Sequence, residues 1–353
     1  MGFMLASRSY TPVDDVERRI CSGARQAWSV WCAFVFLVLC HALGVFGQLL
    51  YPLTTIAASA AAVVGLRRLD PVYRRPWWIL AGVGVLWTVA GVLRDATAAT
   101  GDLSSGRSLW PDAFALPGYV LFGVALFEIV RGRGAMRDRG ALIDGALVAV
   151  GSTAVVFSTV VAPTLGLQGA WLWARAAVAV YPAVSMWMLI GVVQLVLTRA
   201  REMKGAVFVV AGSACLQIGD VIFALGEIGT IRFSRNVLDV PYLMVAACLG
   251  AAALHPGVHE DIAPHGVESL RFDATRFLAV AVALAAPVVA MATSSGVGPG
   301  RAVQLGLIAL TAGFAVTRIA VSARAESAAH AKLLHRATHD QLTGLPSHRA
   351  SLA

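Results

Sequence analysis

Ten runs of about 20 apolar residues, one after another, leave this chain few ways to fold, because a bilayer core is crossed by a helix of about that length. The runs cover residues 28–46, 48–66, 77–94, 112–130, 141–162, 173–197, 206–225, 237–254, 275–291 and 302–321. Lipid offers no partner to a backbone amide, so each run satisfies its own hydrogen bonds as an α-helix. The expected fold class is therefore all-α, a polytopic transmembrane helix bundle of about ten spans with a cytoplasmic C-terminal signalling helix. Hydrophobic residues make up 58% of the 353 and charged residues only 14%, with a mean hydropathy of +0.73. Soluble domains carry about 25% charged residues, so a water-soluble fold is excluded. The first two runs are almost fused, with Gly44, Gly47 and Pro52 as the only turn signals between them. No small-residue cleavage site follows the first run, which reads as a retained helix and not a removed leader.

A net charge of +8 suggests nucleic acid until it is mapped along the chain. Arg8, Arg18, Arg19 and Arg25 precede the first run, Arg67, Arg68, Arg74 and Arg75 follow the second, and Arg131, Arg133, Arg137 and Arg139 follow the fourth. Arg199, Arg201 and Lys204 follow the sixth, Arg271 and Arg276 the eighth, and Arg318, Arg324, Lys332, Arg336 and Arg349 close the chain. Ten crossings place about 22 of the 28 basic residues on one side, which the positive-inside rule makes cytoplasmic. Both termini then face the cytoplasm of a multi-pass plasma-membrane protein, and nucleic acid drops out as a partner. The expected division is a cytoplasmic N-terminal segment (1–27), an eight-span block (28–254), a cytoplasmic linker (255–274), a two-span hairpin (275–321), a signalling helix (322–339) and a short tail (340–353).

That tail contains Asp340, Leu342, Thr343, Gly344, Leu345 and Arg349 at the spacing Asp-x-Leu-Thr-Gly-Leu-x-x-x-Arg. It resembles the opening of a GGDEF diguanylate cyclase domain, with Ser347 where that family usually has Asn and His348 where it usually has Arg. The resemblance covers about 20 residues, and six matches at fixed spacing after a helix make it specific. It implies cyclic di-GMP signalling, an output domain using GTP and magnesium, and action as a homodimer. The metal-binding aspartates and the GTP-holding turn of such a domain are not in this sequence, so the expectation is a sensor truncated at the start of its output. No Walker loop, Rossmann glycine pattern, HExxH or GxSxG occurs, and neither an enzyme nor a cofactor is expected in this chain. More loosely, the apolar block resembles membrane sensors found ahead of GGDEF or GGDEF/EAL modules in actinobacterial proteins. That likeness rests on Arg75, Pro76 and Trp77 entering the third run, Tyr181 and Pro182 in the sixth, Asp220, and Gly250 to His255 and Pro256 closing the eighth. Such sensors often carry an acid three residues after the Tyr-Pro pair, where this chain has Ser185.

Asp220, within the seventh run, should face the bundle interior, because a carboxylate in lipid costs several kcal/mol. With Gln217, Asp95, Asp112, Asp239 and Tyr242 expected at the same outer level, two readings stand: an outward-opening sensing pocket, or a network that only ties helices together. Asp112 and Asp239 open their runs in a weak internal repeat and read as helix N-caps. Glu128 and Asp144 read as surface salt-bridge partners of Arg131, Arg133 and Arg139. His41 reads as a hydrogen-bonded core residue, the five cysteines as small buried hydrophobes, and His255, His259, Glu260, Asp261 and His265 as a helix stop and linker, with no metal site. After the tenth run, Ile319, Ser322, Glu326, Ala329 and Leu333 form a poor heptad. Dimer contacts are then expected in the membrane block, where small residues allow close packing. Partners expected are membrane lipid, a second copy, and a small-molecule or membrane-state signal. The competing class is a small-solute permease with a chance motif match; a third reading is a stand-alone decoy partner for intact homologues.

Overall fold

The computed structural model describes residues 13–45, 49–67, 71, 74–97, 103, 107–132, 139–197, 205–256, 274–293 and 299–338. The GGDEF-like residues Asp340 to Arg349 lie outside these, as do His259, Glu260, Asp261 and His265. Among the described residues there is no strand. The helices are α1 (Val13–Ala42), α2 (Leu50–Leu66), α3 (Arg75–Thr97), α4 (Trp110–Gly132), α5 (Arg139–Val156), α6 (Leu172–Leu197), α7 (Ala206–Glu227), α8 (Arg235–Leu254), α9 (Ala274–Thr293) and α10 (Pro299–Thr338). After α5 the chain continues through a π-turn, Phe157–Val161, into the short helix Ala162–Gly166. Pro163 has no amide to return to the preceding turn and its ring would crowd that carbonyl, so widening the turn there makes room.

Eight of these helices are long and apolar enough to cross a membrane; α2 and the apolar part of α9 are shorter. Large apolar side chains cover the outside of the bundle, Phe36, Leu43, Trp110, Trp173 and Val316 among them, which is the exterior that lipid requires. The helix α1 starts at Val13, well before the first apolar run, so part of the polar N-terminal segment is helical. The first two runs are separate helices. Gly44 adopts a φ of 72°, and the Gly44 and Val45 amides donate back to the His41 and Cys40 carbonyls, a Schellman ending that glycine allows without strain. The end of α7 is built the same way around Gly229, whose φ is 77°.

Packing is circular. Helix α8 lies on α2, α2 on α3, α3 on α4, α4 on α6, α6 on α7, and α7 returns to α8. This ring of six is flanked by α1, against α8, and by α5, against α6, while α9 and α10 pack on the far side of α5. In the half of the ring nearer the α2–α3, α4–α5 and α6–α7 connections, Trp77, Phe122, Leu126, Leu195, Leu216 and Leu249 fill the interior as one apolar cluster. Asp144 is buried and paired with Arg318 of α10 at 2.6 Å. That corrects its reading as a surface partner of neighbouring arginines: a carboxylate facing another helix takes the cation that helix brings. Glu128 does pair near the surface, with Arg131 at 3.4 Å and with Arg75 at 3.7 Å. Cys248 is buried, whereas Cys32 is exposed on α1, so the uniform buried role fails there because that face of α1 looks away from the bundle.

Among the described glycines, Gly65 of α2 comes nearest to the backbone of another ring helix, α8. A Cβ at Gly65 would stand 2.3 Å from the Ala253 carbonyl oxygen, while one at Gly82 of α3 would meet nothing within 4 Å. Gly65→Val is expected to destabilise the protein by about 1–3 kcal/mol, read as a lowered unfolding midpoint in lipid nanodiscs. Gly82→Ala is expected to leave that midpoint unchanged.

Candidate functional site

In the half of the ring nearer the α1–α2, α3–α4 and α7–α8 connections, the interior is not filled. A cavity of about 120 Å3 is lined by α2, α3, α4, α6, α7 and α8. Its deeper walls are small or apolar, including Ala58, Ala62, Leu80, Gly84, Ala246 and Leu249. Aromatic rings crowd the middle: Trp87 stands 5.4 Å from Tyr119, Tyr119 5.2 Å from Tyr181, and Tyr181 6.3 Å from Phe223, centroid to centroid. Arg94, Arg107 and Asp112 are the charged residues of its lining.

Three buried polar clusters hold this end of the ring together. In the first, Asp239 of α8 lies fully buried between Arg94 of α3, at 2.7 Å, and Nε2 of His41 of α1, at 3.2 Å. Asp95 sits 3.6 Å from Arg94 and accepts a hydrogen bond from Arg235, and the Arg94 guanidinium lies 5.2 Å from the Tyr51 ring centre, a cation–π contact. In the second, Arg107 contacts Glu227 at 3.1 Å and Asp112 at 3.9 Å, and the Tyr181 hydroxyl donates to Asp112 at 2.6 Å. The third is centred on Asp220 of α7, fully buried, which accepts from the hydroxyls of Tyr119 and Tyr242 and has the Ser185 hydroxyl beside it. Each cluster spans several helices, so these contacts act between elements far apart in sequence.

The six residues singled out as a sensing pocket thus fall into two groups. Asp112 and Tyr242 line the cavity. Asp220, Asp95 and Asp239 stand behind its walls, fixing the tyrosines and arginines that do line it, and Gln217 is half-buried off the lining with its amide nitrogen enclosed and unbonded. The N-cap reading of Asp112 and Asp239 is overturned. Asp239 is the fifth residue of α8, whose cap position is Ser234, and Asp112 is the third of α4. Asp239 is spent on neighbouring helices, while Asp112 keeps a bond to its own backbone amide and adds Tyr181 of α6 and Arg107 of the α3–α4 connection. Of the family-like positions, Tyr181 lines the cavity, Pro182 lies inside α6, and Pro76 and Trp77 are buried at the start of α3 beside exposed Arg75. His255 caps α8 near the Phe208 ring, 6.2 Å away, and Pro256 packs against Gly23.

Sequence reasoning missed Arg94, Arg107, Tyr119 and Trp87. A signal for the arginines was present: they are among the few basic residues left on the wrong side of the charge count, and one sits at the end of an apolar run, where a cation needs a partner. The lining hydroxyls of Thr55 and Ser59 donate to backbone carbonyls of their own helix, at 3.1 and 2.8 Å. The walls therefore offer phenols, guanidiniums and one carboxylate, which are groups for recognition. No family model, curated protein or solved structure matches this chain.

Breaking a buried pair strands a charge, while removing both partners does not. Asp239→Leu is expected to cost about 3 kcal/mol or more, and the double variant Arg94→Met, Asp239→Leu to recover most of that. Thermal unfolding of the three proteins in nanodiscs reads the difference.

Proposed function

We propose that the chain is the sensory and anchoring module of a cyclic di-GMP signalling protein, crossing the plasma membrane ten times with both termini in the cytoplasm. In this reading an outward-facing cavity receives a small molecule, and occupancy is passed through α6 and α5 to α10, then to a GGDEF-type output. The observation that carries it is the ring itself: six helices around one cavity, with the apolar cluster of Trp77, Phe122, Leu126 and Leu195 filling the interior beyond its lining. A filled interior on one side of the cavity favours reception over passage, which weighs against the permease reading. The orientation is supported by charge, since the connections at the opposite end and the chain ends carry about 22 of the 28 basic residues. The link to an output is supported by α10, which continues unbroken to Thr338, two residues before the GGDEF-like Asp340.

Two measurements test this. In a cysteine-free background, Thr230→Cys at the α7–α8 turn should react with an impermeant maleimide on intact cells, and Ala329→Cys on α10 only after lysis. The reverse pattern would overturn the topology. In a chimera carrying an intact cyclase domain after α10, Arg318→Met should change cyclic di-GMP output at least several-fold, since that residue joins α10 to α5. Unchanged output would remove α10 as the transmitting element.

A further inference from the structure

The sensory reading leaves the class of ligand open, and the cavity walls narrow it. The lining is graded. At the mouth stand Arg94 and Arg107, and along α2 it runs from Tyr51 down to Ala62. Those twelve residues of helix, eleven rises, make a depth of about 16 Å. Below the aromatic belt the walls are mainly alanine, glycine and leucine, which shape a narrow apolar trough whose one hydroxyl, that of Ser59, already donates to the Thr55 carbonyl.

The charges at the mouth are unequal. Two guanidiniums line the cavity against one carboxylate, while Asp95, Asp239 and Glu227, which hold those guanidiniums, stand outside the lining. Asp112 accepts from Tyr181 at 2.6 Å and stands 3.9 Å from Arg107, and its second oxygen is enclosed without a hydrogen-bond donor. The Nε donors of Arg94 and of Arg107 are enclosed and have no hydrogen-bond acceptor. Buried donors without acceptors are costly, and charged ones more so. A cationic head would add repulsion at two guanidiniums; an anionic head would form charge-assisted bonds with the guanidinium groups that do face the cavity.

We infer that this cavity binds a single-chain anionic amphiphile, its carboxylate or phosphate head at Arg94 and Arg107 and its apolar chain along the trough toward Ala62. The inference rests on the sensory reading for its purpose, but the binding itself is separately measurable. Head and chain are recognised by different residues, so the two can be varied independently.

The whole chain in lipid nanodiscs, with empty nanodiscs as the partitioning control, is titrated with dodecanoate, dodecyl phosphate, dodecanol and dodecyltrimethylammonium. At least one of the two anions should bind about ten-fold or more tighter than the alcohol and the ammonium, a margin typical of one charged hydrogen-bonded group, and raise the unfolding midpoint by mass action. Which anion binds tighter distinguishes a free fatty acid from a phosphate-headed lipid. A chain-brominated dodecanoate should quench tryptophan fluorescence, and Trp87→Phe should remove most of that quenching. Ala62→Phe, which shortens the trough, should weaken dodecanoate about ten-fold while leaving octanoate nearly unaffected, each buried methylene contributing about 0.8 kcal/mol. Equal affinity for all four heads, tighter binding of the ammonium, or no binding above the empty-nanodisc control would each overturn the inference. None of those results touches the maleimide pattern or the chimera output, so failure of the ligand class is distinguishable from failure of the sensory reading.

Discussion

One carboxylate, that of Asp239, closes the open end of the ring. It is fully buried, and it takes a guanidinium from α3 and an imidazole from α1 at the same time. Between apolar helices in lipid there is little hydrophobic drive to associate, because the tails are as apolar as the side chains. What distinguishes one helix neighbour from another is close packing of small residues and the few polar groups that must find each other. At the filled end of the ring the first mechanism dominates, with Gly65 against Ala253. At the cavity end, where the interior is empty, the three polar clusters replace the missing side-chain contacts.

The cavity can remain open because its walls are braced from behind. Asp220 does not line it, yet it holds Tyr119 and Tyr242, which do. Glu227 does the same for Arg107. A site whose lining residues are held by partners outside the lining is pre-organised, so an incoming molecule spends little of its interaction energy on ordering side chains.

Much of this was readable in the sequence. Apolar run length located the ten long helices among the described residues, since in a bilayer length and hydropathy leave one solution. The polar residues worth attention, Asp220, Asp112, Asp239 and Tyr242, were readable for the same reason: an acid in an apolar run needs a cause. Pairings were not readable. His41 and Asp239 are 198 residues apart, and Asp144 and Arg318 are 174 apart. The ring order that makes them neighbours follows from shape complementarity among many small residues, and no single motif encodes it. The capping error had the same origin, because the first turn of a helix was judged without knowing what stood beside it.

The placement of α10 carries a mechanical consequence. It is held chiefly by α5 and α9, and α5 in turn by α6, the helix that brings Tyr181 to the cavity. These contacts lie in series. A series linkage is as stiff as its softest joint, and here the joint of α5 with α10 is pinned by a buried ion pair at Asp144, one residue from Gly145, where α5 meets the Ile190 backbone of α6. The two joints therefore sit at one point of α5, which leaves little helix between them to flex.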